Sequence, residues 1–247
     1  MIDALAWIAP DWPAPSPVRA ASTLRGGGVS TGGYASLNLA THVEDEAQAV
    51  AANRGRLRRA LALPAEPQWL QQTHSLRVID LDAAVGRDGD AAVTREPGRV
   101  AVVLTADCLP VLFCDEAGHS VAAAHAGWRG LVGGILEQTV RAMQQPPERL
   151  MAWLGPAIGP RHFEVGAEVR DAFLRDLPAA QAAFVATRPG RWLCDLYALA
   201  RLRLRRAGVQ RVFGGDRCTF GEPESFFSYR REPRCGRQAT LIWLDQS

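Results

Sequence analysis

The stretch from residue 100 to residue 130 constrains this chain most. Residues 100–104 are an apolar, β-branched run, which Asp107-Cys108-Leu109-Pro110 breaks. Residues 111–114 resume it, Asp115-Glu116-Ala117-Gly118 turns the chain, and residues 120–124 carry it back. Apolar runs of this length, bounded by turn residues, read as two buried strands joined by a tight turn. Cys108 and His125 are thereby placed at strand termini, where rigid scaffolds present reactive groups. Gly127 and Gly130 bracket the start of a helix.

Upstream, Pro10, Pro13, Pro15 and Pro17 make residues 1–17 a Pro-rich, extended N-terminal arm. Residues 18–24 read as an opening strand. Gly26-Gly27-Gly28 and Gly32-Gly33 then form a glycine-rich loop, serving either plain turns or close backbone approach to a phosphate or ribose. Its pattern is neither a Walker loop nor a dinucleotide fingerprint. Asp45 is placed to cap a helix over 46–61 that carries Asn53 and Arg54. Residues 69–72 and 76–81 read as strands, with His74 between them.

Downstream, helices are expected over 131–143, 166–174 and 178–184, and from a cap at Asp195 to residue 206, stopped by Gly208. Strands are expected at 150–154, 209–213 and 240–244. The elements mix without strict βαβ alternation, and no linker or repeat divides them. The expected fold class is α+β: a single domain over residues 18–247, layered rather than doubly wound.

A chain of 247 residues can bury a substantial core without disulfides or structural metal. The formal net charge is only +2, which gives no electrostatic case for nucleic acid or an anionic membrane. The Arg201, Arg203, Arg205 and Arg206 cluster reads as a solvated helix face. No secretory signal pattern opens the sequence, and no run reaches the roughly 18 apolar residues of a membrane span. Five scattered cysteines argue against a disulfide framework. A cytoplasmic protein with reduced thiols is expected.

His74, Cys108 and His125 offer two imidazoles and a thiolate, a donor set that suits zinc or copper. They lie far apart in sequence and form no short-range ligand pair. Three protein ligands leave a fourth position open, as catalytic sites do. The same residues allow a different chemistry, with Cys108 as nucleophile and either histidine as base. Asp107 can orient a ligand imidazole or cap its turn. Cys114 and Cys218 read as buried, inert thiols. His42, His119 and His162 read as surface or capping residues.

Thr105-Ala-Asp-Cys-Leu-Pro110 followed by Ala124-His-Ala-Gly-Trp-Arg-Gly130 resembles the signature of the YfiH-like family. That family is variously known as laccase-domain proteins, polyphenol oxidases, peptidoglycan editing factors and purine nucleoside phosphorylases. The resemblance extends in order through Ser30–Asn38, Asn53-Arg54, Gln71–His74, Asp90–Thr94, Gly155–Gly159, Phe163–Val165, Cys218-Thr219 and Ser228–Arg231. It implies an α/β/β/α sandwich with mixed sheets, and His74, Cys108 and His125 as the metal-binding and catalytic trio. It also implies zinc-dependent phosphorolysis of adenosine, inosine and methylthioadenosine to base and ribose 1-phosphate, with adenosine deaminase activity. Purine nucleosides and phosphate would be the partners of a monomer or homodimer.

A zinc ion lowers the pKa of its water towards about 7, which suits deamination. Phosphorolysis needs an anion held against the sugar, a task for arginine forks. Arg129, Arg230 and Arg231 are candidates, and Asn38 a further substrate-binding candidate. A Cys–His hydrolase or amidase acting on peptidoglycan precursors, and a copper-dependent polyphenol oxidase, are the competing readings. Five histidines are too few for a blue-copper site together with a trinuclear cluster.

Overall fold

A computed structural model describes residues 5–83 and 86–245. In chain order the strands are β1 (Trp7–Ile8), β2 (Val18–Thr23), β3 (Val78–Asp80), β4 (Ala91–Thr94), β5 (Val100–Thr105), β6 (Leu109–Asp115), β7 (Val121–Ala126), β8 (Leu150–Leu154), β9 (Glu164–Gly166), β10 (Phe184–Arg188), β11 (Arg191–Cys194), β12 (Arg211–Gly214) and β13 (Gln238–Leu244). The helices are α1 (Ala47–Ala60), α2 (Trp128–Gly133), α3 (Ile135–Ala142), α4 (Ala167–Asp176) and α5 (Leu196–Arg206).

Two large sheets face each other. One has the order β1-β2-β13-β5 and is antiparallel throughout. The other has the order β12-β8-β6-β7-β4-β3 and is mixed: its two outer pairs are parallel and its inner pairs antiparallel. Alternation along the strands shows why both sheets are covered on both faces. In β6, Leu112 and Cys114 enter the core between the sheets, while Leu109, Val111 and Phe113 face the layer holding Leu131, Ile135 and Leu199 of the helices. In β5, Ala101 and Val103 point inward, and Val100, Val102 and Leu104 pack towards Leu37, Leu39 and Leu57 of α1. The result is the expected α/β/β/α layering, in which the six-stranded sheet is mixed and the four-stranded one antiparallel. Strands buried on both faces read as continuous apolar runs because neither face alternates with water.

Several local expectations change. Leu109 and Pro110 lie within β6 rather than interrupting it. The proline is tolerated because the β8 register starts only at Val111, while its carbonyl still accepts from Gly155 N at 2.9 Å. His125 precedes the last residue of β7, which runs on through Ala126. Residues 69–72 are not a strand: only isolated bridges at Gln68 and Gln71 form. The helix expected over 131–143 starts at Trp128 and is broken in two by Gly134, whose φ of 99° is left-handed. Residues 178–183 are a 3₁₀ turn.

Glu46, not Asp45, is the cap residue of α1; the Asp45 carboxylate instead accepts from Ser30 Oγ and Asn38 Nδ2. Asp195 caps α5 as expected, accepting from Ala198 N at 2.9 Å. The arginine face of α5 is not simply solvated. Arg203 is buried and ion-paired with Glu137 and Asp176, and Arg201 donates to the carbonyls of Val212 and Gly214. Gly28 and Gly33 of the glycine-rich loop are required by the chain's own backbone, at Ser36 O and Arg234 O, where a Cβ would collide. No helix among the described residues is long and apolar enough to cross a membrane.

Candidate active site

The β6–β7 hairpin supplies two of three converging side chains. Cys108 sits between β5 and β6, directly after Asp107, whose φ of 87° is left-handed. The Asp107 carboxylate accepts from Thr219 Oγ1 and from Arg230 N, each at 2.6 Å. It therefore ties two distant loops to the Cys108 turn and orients no imidazole. His125 lies across from Pro110 on β7.

The third side chain, His74, belongs to a segment outside any strand and has a left-handed φ of 60°. Such a conformation is unusual for a residue with a side chain, and something must over-determine it. Asp90 does so. Its buried carboxylate accepts from the backbone N–H groups of Thr73, His74 and Ser75 at 3.2, 3.0 and 2.6 Å, and from Ser75 Oγ at 2.7 Å. The same carboxylate meets His125 Nδ1 at 2.8 Å. One acid thus fixes the backbone of one histidine and the ring of the other, leaving His125 Nε2 as the nitrogen for a ligand.

The outcome is a compact donor set. The ligand atoms of His74, Cys108 and His125 all lie within 4.8 Å of one another. Cys108 Sγ stands 3.8 Å from His74 Nε2, and the two imidazole centroids are 4.9 Å apart. A Cβ at Gly127 would approach the His74 ring and Cys108 Sγ at 2.8 and 2.9 Å, so this glycine keeps the space at the trio open. Two imidazole nitrogens and a thiol sulfur in one cradle fit a zinc- or copper-type ion.

Electrostatics agree with the geometry. Burial pushes the Asp90 carboxyl up, but hydrogen bonds from His125 and Ser75 outweigh it and hold the group at about 2. Burial also opposes charge on Cys108 and His125, yet each favours the charged form of the other. The thiol is drawn down to about 6, and the imidazole, with help from Asp90, is held up at about 9. Each group thus stabilises the charged form of the other. Cys114 and Cys194, buried without such partners, are pushed up to about 12.

The trio lies in a cavity of about 490 Å³ also lined by His42, Gln72, Trp128, Arg129, Phe163, Tyr229, Arg230 and Arg237. Arg129 stacks over Trp128, and Arg230 over Phe163 while donating to Glu164 O. The other two candidates are not brought there. Arg231 donates to the carbonyls of Thr219, Phe220 and Phe226, and Asn38 is fully buried against Ala40 and Asp45. Sequence reasoning missed the role of Asp90, although the segment it opens was noted. It also missed Gln72, whose amide pairs with the backbone of Leu104, as well as Arg237 and His42. Burial, then Arg237, Arg54 and His125, lower the pKa of His42, which no sequence spacing reveals.

Residues 19–245 match the family described as multi-copper polyphenol oxidoreductase laccase. A purine nucleoside phosphorylase of Pseudomonas aeruginosa is 52% identical over 240 residues, covering 97% of this chain and 98% of the relative. Escherichia coli YfiH, also named a purine nucleoside phosphorylase, is 52% identical over 239 residues, covering 96% and 98%. A Neisseria meningitidis crystal structure superposes with a TM-score of 0.94 at 51% identity, covering 97% of this chain and 99% of that one. Among the described residues, the trio is the one group of three or more His, Cys, Asp or Glu donors, so the laccase description has no trinuclear cluster behind it here. The chain belongs to the YfiH-like family.

Proposed function

We propose that this family member is a zinc-dependent purine nucleoside phosphorylase whose ion is held by His74, Cys108 and His125. The observation that carries the reading is the placement of this three-donor cradle in a cavity walled by arginines and aromatic rings. The names of the relatives supply the substrate class.

Phosphorolysis requires phosphate to attack the anomeric carbon as the glycosidic bond breaks. Arg129 donates no hydrogen bond to protein among the described residues and is exposed to the cavity, so its fork is available to phosphate oxygens. Arg230 adds a second positive charge there. Its main chain is fixed by Asp107 and its guanidinium is already anchored on Glu164, which aims the charge in advance. Trp128, Phe163 and Tyr229 offer ring faces for the purine. Asp90 keeps His125 in one tautomer throughout. A zinc ion held by His74, Cys108 and His125 would supply Lewis acidity there.

Adenosine, inosine and methylthioadenosine are the proposed substrates, with adenosine deamination as a second reaction of the same site. The catalytic unit is residues 18–247, carrying the arm of residues 1–17, and the protein is cytoplasmic with reduced thiols. The Cys108 thiol, drawn down by the His125 imidazole beside it, favours one rival, a Cys–His hydrolase or amidase. Incubating purified protein with adenosine, with and without phosphate, and separating the products tests the reading. Phosphate-dependent adenine that chelation abolishes is the expected result. Loss of neither substrate while metal is bound overturns it, and amide hydrolysis that survives chelation establishes the rival.

A further inference from the structure

A second sulfur–imidazole pair lies outside the cavity of the trio. Cys218 Sγ is 3.3 Å from His162 Nδ1 and receives backbone N–H groups from Gly159 at 3.2 Å and Gly221 at 3.3 Å. The two glycines make this possible. A Cβ on Gly159 would come within 3.1 Å of the sulfur, and one on Gly221 within 3.3 Å of the His162 ring. The imidazole is held by stacking on Phe220, with centroids 4.8 Å apart and an interplanar angle of 24°.

The sulfur is reachable. Cys218 is half-buried and lines a separate cavity of about 390 Å³ with Arg161, Arg201 and Arg217. Cys114, Cys194 and Cys235 are buried, and burial pushes each of those thiols up. The expectation of an inert Cys218 came from its residue type alone; its surroundings are different. A nucleophile within hydrogen-bond reach of a base that a third group orients is the arrangement of an activated thiol. Two backbone N–H groups and one imidazole nitrogen thus converge on the sulfur, while Arg217 beside it is paired with Glu222, whose carboxylate accepts from Cys218 N at 2.7 Å.

We propose that Cys218, with His162 as its proton acceptor, is a reactive thiol that hydroperoxides oxidise to a sulfenic acid. His162 takes the thiol proton. The thiolate sulfur attacks the terminal oxygen of the hydroperoxide, and the S–O bond forms as the O–O bond breaks. Sulfur gives up two electrons, and the departing alkoxide or hydroxide receives the proton back from His162. The products are the sulfenic acid and an alcohol or water.

The test uses the full, metal-loaded chain, exposed to hydrogen peroxide with dimedone as the sulfenic-acid trap and analysed by peptide mass spectrometry. Cys218 should label well ahead of Cys114, Cys194 and Cys235. His162→Phe keeps a ring on Phe220 but no base, and should slow labelling of Cys218 by about tenfold or more. Iodoacetamide alkylation, followed peptide by peptide with circular dichroism as the folding control, should show the same ratio without any oxidant. If Cys218 reacts no faster than the buried cysteines, or equally fast in folded wild type and folded His162→Phe, the proposal fails. If His162→Phe does not fold, His162→Gln is measured in its place, under the same two criteria.

Discussion

The three converging side chains rest on two kinds of support. Cys108 and His125 are carried by a hairpin whose strands are buried on both faces and paired on both edges. His74 is carried by a segment without ladder partners and with a left-handed backbone, held chiefly by one carboxylate. The hairpin is positioned by the core. The loop is positioned by Asp90, which also reaches the hairpin through His125. A metal cradle here is therefore half sheet and half loop, and the joint between the halves is a single buried acid.

The largest expected effects come from deleting donors. Cys108→Ala, His125→Ala and His74→Ala should each abolish phosphorolysis while circular dichroism stays native, because none of the three fills the core between the sheets. Metal content sharpens the contrast. The hairpin variants should lose the ion outright, whereas His74→Ala should retain weak binding on the two sheet-borne donors. An active, metal-free variant would sink the metal mechanism, and equal metal loss in all three would remove the distinction between the halves.

Asp90→Ala attacks the joint. Carboxylates behind ligand histidines are typically worth about 10–100-fold in metal affinity, and that range is expected here. Hydrogen exchange gives the local readout. The amides of Thr73, His74 and Ser75 should lose protection, while those of β7 keep theirs through pairing with β4 and β6. Equal loss in both places would mean that the hairpin depends on Asp90 as much as the loop does.

This division also explains what could be read from the sequence. The hairpin was legible because burial on both faces writes a continuous apolar run, and its turn residues punctuate that run. The helix capped by Asp195 was legible because a cap is a local signal. Ahead of His74, residues 69–72 read as a strand because they have strand character, and nothing local reveals that only isolated bridges form; the strand expected after it does form, over Val78–Asp80. Long-range polar contacts were invisible for the same reason. Asp90 to His125, Asp107 to Thr219 and Arg230 to Asp107 span sequence distances that no spacing rule covers. The trio itself came from the family resemblance, since three residues so far apart carry no spacing signature. The resemblance could not say which arginines face the cavity.

Gly127→Ala probes the cradle from the hairpin side. The added Cβ would press on the His74 ring and the Cys108 sulfur rather than on backbone. Overpacking typically costs about 1–3 kcal/mol, but the yielding partner here is the loop-borne histidine. Turnover and metal affinity should thus fall by more than the unfolding free energy implies. A variant that unfolds early yet binds metal normally would show that the hairpin yields instead.

The arginines separate by the same logic. Arg129→Ala should raise the KM for phosphate by about tenfold or more, the worth of one charge-assisted hydrogen bond, with little change in thermal midpoint. Arg231→Ala should lower the midpoint, because it strands three carbonyls, and leave the phosphate KM nearly unchanged. Phosphate titrations at saturating nucleoside, beside thermal scans, check both. The reverse pattern would move Arg231 into the site.

The smallest effect is the pH response of chelated protein, where signs matter. His125 has a raised pKa, so its contribution is complete below 6.5 and is lost as pH rises through about 9. Cys108 has a lowered pKa, so its contribution is complete above 9.0 and is lost as pH falls through about 6. Between about 6.5 and 9 the folded protein binds one more proton at His125 and one fewer at Cys108 than the unfolded chain does. The slopes oppose, and the thermal midpoint should stay nearly flat. Cys108→Ser removes one side of that balance. Its midpoint should then fall with rising pH, to the extent that Asp90 alone still holds the imidazole charged. Asp90 acts at the other end. Its contribution is complete above 3.8 and is lost as pH falls through about 2. Its protonation weakens the tie to His74, so acid should loosen the loop amides before the hairpin amides. Simultaneous loss of both in acid would mean that the two halves of the cradle unfold as one unit.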